Sequence, residues 1–217
     1  GLLRLMRTYV VPDLHGRFDL LTAALGRIEE ADRGGNVVFL GDYVDRGPQS
    51  KQIIDRLMAG PPSGWTWTPI RGNHEDMLLE CHELDPSSDN HKWWIGNGGE
   101  PTLDSYGGTI DPLHVEWLHN LPRLYWDAHR VFTHAAVSEA YRLEEQPENV
   151  TQWMRYPKGA DVGYHGRHVV HGHTPYGPEL YVNRTNLDAG AYSHGMLCVG
   201  VWDDEIPGEP IAVMRIR

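Results

Sequence analysis

Five short apolar runs in this chain each end on polar residues set beside a glycine, and this arrangement restricts the fold more than any other feature. Thr8–Val11 leads to Asp13-Leu14-His15-Gly16, and Val37–Leu40 leads to Gly41-Asp42-Tyr43-Val44-Asp45-Arg46-Gly47. Trp65–Ile70 leads to Gly72-Asn73-His74-Glu75, Arg130–Phe132 to His134, and His168–Val170 to Gly172-His173-Thr174-Pro175. Short β-branched and aromatic runs closed by Gly, Pro or Asp are strand signals. Helical spacing lies between the first of them: Asp19 to Arg33 puts Leu20, Leu21, Ala24, Leu25 and Ile28 on one face, and Ser50 to Ala59 does so with Ile53, Ile54, Leu57 and Met58. The pattern βαβαβα predicts a mostly parallel sheet, whose ligands gather at the carboxyl ends of its strands. All five runs would deliver their polar residues to that edge.

The residue types delivered there suit metal ions. Carboxylates (Asp13, Asp42), an amide oxygen (Asn73) and several imidazoles can hold two adjacent divalent cations without thiolate, in the manner of a two-metal phosphate-ester site. Taken singly, each signature has a plainer explanation. Asp13 could cap the helix near Asp19, Asp45-Arg46 could be a surface ion pair, and Asn73-His74 could be a turn capping the amphipathic run Glu75 to Leu84. Five in series favour the metal reading.

At 217 residues, without a linker rich in Ser, Pro and Gly, residues 1–217 read as a single domain. Met6-Arg7-Thr8 looks like a native start, so Gly1 to Leu5 are read as a vector-derived remnant. No stretch reaches the roughly 20 apolar residues of a membrane helix, and a cytoplasmic location is expected. A formal net charge of −11 disfavours nucleic acid and anionic membranes as partners. The two cysteines, Cys81 and Cys198, share no metal-binding spacing and read as buried free thiols.

With these motifs in view, the chain resembles the calcineurin-like metallophosphoesterases, and among them the phosphoprotein phosphatase family. The family motifs GDxHG, GDxVDRG and GNHE correspond to Pro12–Gly16, Gly41–Gly47 and Gly72–Glu75. Thr133-His134-Ala135, Gly172-His173-Thr174-Pro175, Trp93–Gly99 and Leu187-Asp188-Ala189-Gly190-Ala191 are similar to segments of small bacterial and phage enzymes. Pro12 departs from the usual Gly, which removes an N–H from that turn. The resemblance implies an α/β fold with two mixed β-sheets sandwiched between helices. It implies that Asp13 and His15 hold one metal, that Asp42 bridges, and that Asn73, His134 and His173 hold the other. It makes His74 a general acid oriented by Asp45, and it gives Arg46 and Arg155 the phosphate oxygens, with Arg71 competing for the second place. The cofactors implied are two divalent ions, Mn²⁺ being favoured over Fe or Zn²⁺.

Charge counting agrees with that scheme. Two dications balanced by Asp13, Asp42 and a bridging hydroxide leave about one positive charge for a phosphate dianion, to which two arginines add bidentate bonds. No phosphoenzyme is required, and no GxSxG nucleophile elbow surrounds Ser138 or Ser193. His171 is read as a strand residue rather than a ligand. In the second half, Val169-Val170, Leu180–Val182, Met196–Trp202 and Ala212–Ile216 read as strands, with Leu197, Val199 and Val201 alternating as in a half-exposed antiparallel sheet. Between the third and fourth motifs, residues 81–124 form an insertion that either shapes a groove over the metals or packs its tryptophans in a small helical subdomain. Three functions fit. A phosphatase acting on phosphoserine or phosphothreonine in proteins leads, a dinucleoside tetraphosphate hydrolase follows, and a catalytically silent phosphate-binding module is remote, because Asp45 and His74 are not needed merely to bind metal.

Overall fold

The computed structural model describes residues 6–217; the remark on Gly1 to Leu5 falls outside the described residues. The chain runs β1 (Arg7–Val11), α1 (Phe18–Ala31), β2 (Gly35–Phe39), α2 (Ser50–Ala59), β3 (Trp65–Pro69) and α3 (Asn73–Cys81). Short helices follow: α4 (Asp89–Trp94), a π-type turn at Ile95–Gly99, α5 (Glu100–Ser105) and α6 (Pro112–His119). Then come β4 (Leu124–Trp126), β5 (Arg130–Thr133), β6 (His168–His171), β7 (Glu179–Leu180), β8 (Arg184–Asn186), α7 (Ala191–His194), β9 (Leu197–Asp203) and β10 (Ala212–Ile216).

These strands form two mixed five-stranded sheets, ordered β10-β9-β1-β2-β3 and β4-β5-β6-β8-β7. β1, β2 and β3 are parallel, with Val10 opposite Val38 and Val38 opposite Thr68. β5, β6 and β8 are the parallel centre of the other sheet. Two mixed sheets are present, as the resemblance implies, but the five runs do not share one sheet: those before His134 and His173 belong to the second, and the two sheets share one edge at their carboxyl ends. Between the sheets lie Val10, Val38, Leu40, Ile70, Phe132, Val170, Leu187 and Trp202, an apolar layer in which each large side chain is worth about 1.5–3 kcal/mol when removed from water. Helices cover the outer face of the first sheet; a short helical turn and loops around Val137, Leu143 and Tyr164 cover the second.

The apolar face expected for α1 is buried throughout, whereas Met58 of α2 is 36% exposed, because it lies about 100° round the helix from Leu57. β9 is antiparallel to β1 and β10 as expected but is buried on both faces. Leu197, Val199 and Val201 face the helices, while Trp202 on the other face meets the second sheet instead of water. The run Leu180–Val182 shrinks to Glu179–Leu180, and β8 stands where no strand was expected. Both cysteines are buried free thiols. No helix among the described residues is long and apolar enough to cross a membrane.

Candidate metal centre

Three strands of the shared edge, β1, β2 and β6, end in backbone turns that ordinary residues avoid. Six non-glycine residues among those described have positive φ, and five of them are His15 (43°), Asp42 (56°), Asp45 (75°), Arg46 (74°) and His173 (71°). Such conformations cost on the order of 1–3 kcal/mol each and persist where surrounding bonds impose them. Here the bonds are visible. Leu14 and His15 N–H both donate to the Asp42 carbonyl, at 3.0 and 2.9 Å, so the loop after Pro12 closes without a proline N–H. The buried Glu75 carboxylate accepts from Asp42 N (2.7 Å), Gly72 N (2.8 Å) and Tyr43 N (2.9 Å), tying the β2 turn to the start of α3. Glycine is needed where backbone passes a carboxylate: a Cβ on Gly72 would lie 2.2 Å from Asp42 Oδ1, and one on Gly172 2.2 Å from Asp13 Oδ1.

The result is a cavity of about 240 Å³ lined by Asp13, His15, Asp42, Asn73, His74 and His173, with Arg46 and Arg155 at its exposed margin. Asp42 is central: its Oδ2 lies 3.4 Å from His15 Nε2 and 3.3 Å from His134 Nε2. Donor atoms of Asp42, His134 and His173 all lie within 4.8 Å of one another, as do those of His15, Asp42 and His74. Asp13 Oδ2 stands 4.0 Å from His15 Nε2, and it is His74 rather than Asp13 that completes the compact cluster with His15 and Asp42, the first cluster in chain order. The three histidines proposed as ligands are turned by their outer bonds. His15 Nδ1 donates to Val44 O and His134 Nδ1 to Leu40 O, which turns each Nε2 inward; His173 Nε2 donates to Trp153 O, which leaves Nδ1 for the site. His74 Nδ1 is instead 2.8 Å from Asp45 Oδ2, and its backbone N–H donates to Asp42 Oδ1.

Electrostatics test whether these residues fit a cation. Burial, together with the neighbouring Asp188 carboxyl, raises the Asp13 pKa well above the usual carboxylate range, and Asp188 is raised by its own burial. Against the penalty of burial, the Asp42 and Asp13 carboxylates lift His15 to about 9 and His134 to about 10. His134 and the other nearby imidazoles hold Asp42 well below the usual carboxylate range despite its burial. Burial keeps His173 neutral, at about 3, and lowers His74. The field thus draws positive charge to one point, where protons and divalent cations compete. The amide of Asn73 agrees: its Oδ1 faces the Asp42 carboxylate and lies 2.9 Å from His134 Nε2, a place that a cation, a proton on that nitrogen or an amide turned to point its NH₂ inward would satisfy. The residues present fit a pair of divalent ions.

Arg46 and Arg155 have no ion-pair partner among the described residues, whereas Arg71 is engaged by Asp76 and by the His119 carbonyl. That leaves Arg155 as the second guanidinium at the cavity. His171 bonds Gly172 O and Arg184, away from the site. Ser193 also lines the cavity, but the adjacent His194 directs Nδ1 to Ala189 O and so offers it no base there.

Three residues were missed as site residues. Asp188 lines the cavity beside Asp13, so a third carboxylate brings the charge balance to neutral when it is ionised. Trp94 and Thr102, from the insertion, hydrogen-bond the Asp45 carboxylate. The signal for Asp188 was present, since Asp188-Ala189-Gly190 repeats the strand, acid, glycine order, but the strand before it is polar. Trp94 was expected either to shape the groove or only to pack; fully buried and bonded to Asp45, it does neither alone.

Comparison with known proteins follows the same lines. The model of the family described as calcineurin-like phosphoesterase matches residues 6–189. Serine/threonine-protein phosphatase 1 of Salmonella typhimurium is 34% identical over 206 residues, covering 87% of this chain and 88% of that protein. An asymmetrical bis(5′-nucleosyl)-tetraphosphatase of Anoxybacillus flavithermus is 26% identical over 227 residues, 87% of each. The fold is also that of a metallophosphoesterase from Sphaerobacter thermophilus, with a TM-score of 0.67 at 15% identity over 99% of this chain and 89% of that one. By its motifs, its two-sheet architecture and this match over most of its length, the chain belongs to the calcineurin-like phosphoesterase family.

Proposed function

We propose that this protein hydrolyses phosphate monoesters, with phosphoserine and phosphothreonine in proteins as its substrates and Mn²⁺ as the favoured ion. The observation that carries this reading is the cationic lining of the cavity, which among the described residues around it consists of two guanidinium groups, Arg46 and Arg155, without a lysine. Two bidentate partners suit one terminal phosphate. They are few for a tetraphosphate chain on a protein of net charge −11. The Salmonella phosphatase, the more similar of the two relatives, supports the same choice.

Asp13 and His15 would hold one cation, Asn73, His134 and His173 the other, and Asp42 both. Bound there, the cations would supply Lewis acidity and lower the pKa of water. The chain's own residues do the rest. Arg46 and Arg155 orient the phosphate, Asp45 holds the His74 ring with Nε2 toward the cavity, and His74 gives its proton to the departing alkoxide.

A dinucleoside tetraphosphate hydrolase is the second reading. It is favoured by Trp153 at the cavity and Trp93 stacked on it, with centroids 6.1 Å apart and planes at 30°, a flat surface suited to a purine. The test is kcat/KM for a phosphothreonine peptide and for diadenosine tetraphosphate, side by side in excess Mn²⁺ with a chelated control. The peptide is expected to win by about tenfold or more, roughly 1.4 kcal/mol of transition-state binding. A nucleotide advantage would overturn the proposed substrate while leaving the site intact.

A further inference from the structure

Asp45 is fully buried, and its carboxylate accepts more than the His74 ring. Trp94 Nε1–H lies 3.1 Å from both of its oxygens, Thr102 Oγ1 donates to Oδ1 at 2.8 Å, and His74 Nδ1 takes Oδ2 at 2.8 Å. Asp45 N–H in turn donates to Thr102 Oγ1 (2.8 Å) and Ser50 Oγ (3.2 Å). Both side-chain donors come from the insertion. Trp94 ends α4 and is fully buried, with Gly99 pressed on its indole, where a Cβ would approach Cε2 to 2.5 Å. One residue earlier, Gly98 O accepts the Arg46 N–H at 2.8 Å. The insertion is therefore fastened to the two consecutive residues that face the acid and the phosphate.

We propose that Trp94 and Thr102 are positioning residues for the proton-donating step: they lock the Asp45 carboxylate in the rotamer that keeps His74 Nδ1–H bonded to it and Nε2 aimed at the leaving oxygen. This rests on the phosphoesterase reading above. In the step served, a water oxygen bonds to phosphorus as the bond from phosphorus to the ester oxygen breaks. The bonding pair goes to the ester oxygen, which takes the Nε2 proton of the doubly protonated His74 ring and leaves it in the neutral Nδ1–H form; the water's spare proton passes to solvent, from which Nε2 is reprotonated. A carboxylate with three donors in fixed directions cannot swing, and a ring held by it cannot flip its nitrogens. With fewer donors, His74 samples orientations in which Nε2 misses the leaving group. An alkoxide that needs the proton suffers, and a nitrophenolate that does not is spared.

The experiment compares Trp94→Phe, Thr102→Val and Thr102→Ser with the parent protein. On a phosphothreonine peptide, Trp94→Phe and Thr102→Val are expected to lower kcat about tenfold, and on p-nitrophenyl phosphate less than about twofold. Thr102→Ser, which keeps the hydroxyl, should stay within about twofold of the parent on both. Nitrogen-15 NMR of the chelated protein reads the His74 tautomer directly, and the Nδ1–H form should decline in Trp94→Phe and Thr102→Val only. Equal losses on both esters, or an unchanged tautomer in both variants, would mean that these residues only pack. If Trp94→Phe does not fold, the Thr102 pair decides alone. A parent protein inert toward every phosphate ester defeats the phosphoesterase reading, and the tautomer measurement then still decides whether the donors hold the ring.

Discussion

Asp42→Asn should lose metal retention and turnover together, with kcat/KM down by about 100-fold or more. Asp42 lies between the two clusters, within 3.4 Å of His15 Nε2 and 3.3 Å of His134 Nε2, and its field is a leading reason that both imidazoles favour positive charge. An amide in its place removes one negative charge and puts either N–H donors or a weaker oxygen toward the cations. Its Oδ1 also accepts the His74 backbone N–H, so the start of α3 would loosen with it. Metal content after desalting, measured by mass spectrometry beside kcat/KM, checks the prediction. Full metal content with undiminished turnover would refute the bridging role.

His74→Asn should lower kcat about 100-fold on a phosphothreonine peptide, the usual size of a lost proton donor. KM should change little, because Arg46 and Arg155 remain. The loss should shrink on p-nitrophenyl phosphate, whose leaving group needs no proton. Asn is short enough to be accommodated beside Asp45, and the ring it replaces is buried mainly against His15, edge to face at 4.7 Å. The cost to the fold is therefore expected to be modest, and melting temperature measured alongside separates the two effects. A loss of equal size on both esters would count against the acid role and would fit instead the nearness of His74 to the first cluster.

Much of this was legible because β1 and β2 are buried on both faces and each of the first three strands is followed by its own helix. Local pattern then carries topology, as with Thr8–Val11 and the helix that begins near Asp19. The second sheet is less legible for a physical reason. β8 reads Arg-Thr-Asn and is nevertheless fully buried: Arg184 lies 4.6 Å from the Tyr156 ring and 4.8 Å from Tyr181 and bonds Ala160 O and His171. No apolar count finds such a strand, and with it went Asp188. Which sheet a strand joins is likewise decided by partners far along the chain, so the runs before His134 and His173 named their polar residues without naming their sheet. Trp94 was visible as an aromatic, but its indole N–H acquires meaning only once Asp45 is seen opposite it.

This edge is expected to bind two divalent cations in place of protons. Calorimetric titration of Mn²⁺ into the chelated protein at pH 7.5, repeated in buffers of different ionisation enthalpy, tests it most directly. Both His15, at about 9, and His134, at about 10, lie above that pH in the metal-free protein and so carry protons that cations must displace. Saturation at about two equivalents with net proton release is expected, with hydrolysis of p-nitrophenyl phosphate that rises with the occupied sites. Saturation at one equivalent, or binding without proton release, would contradict it.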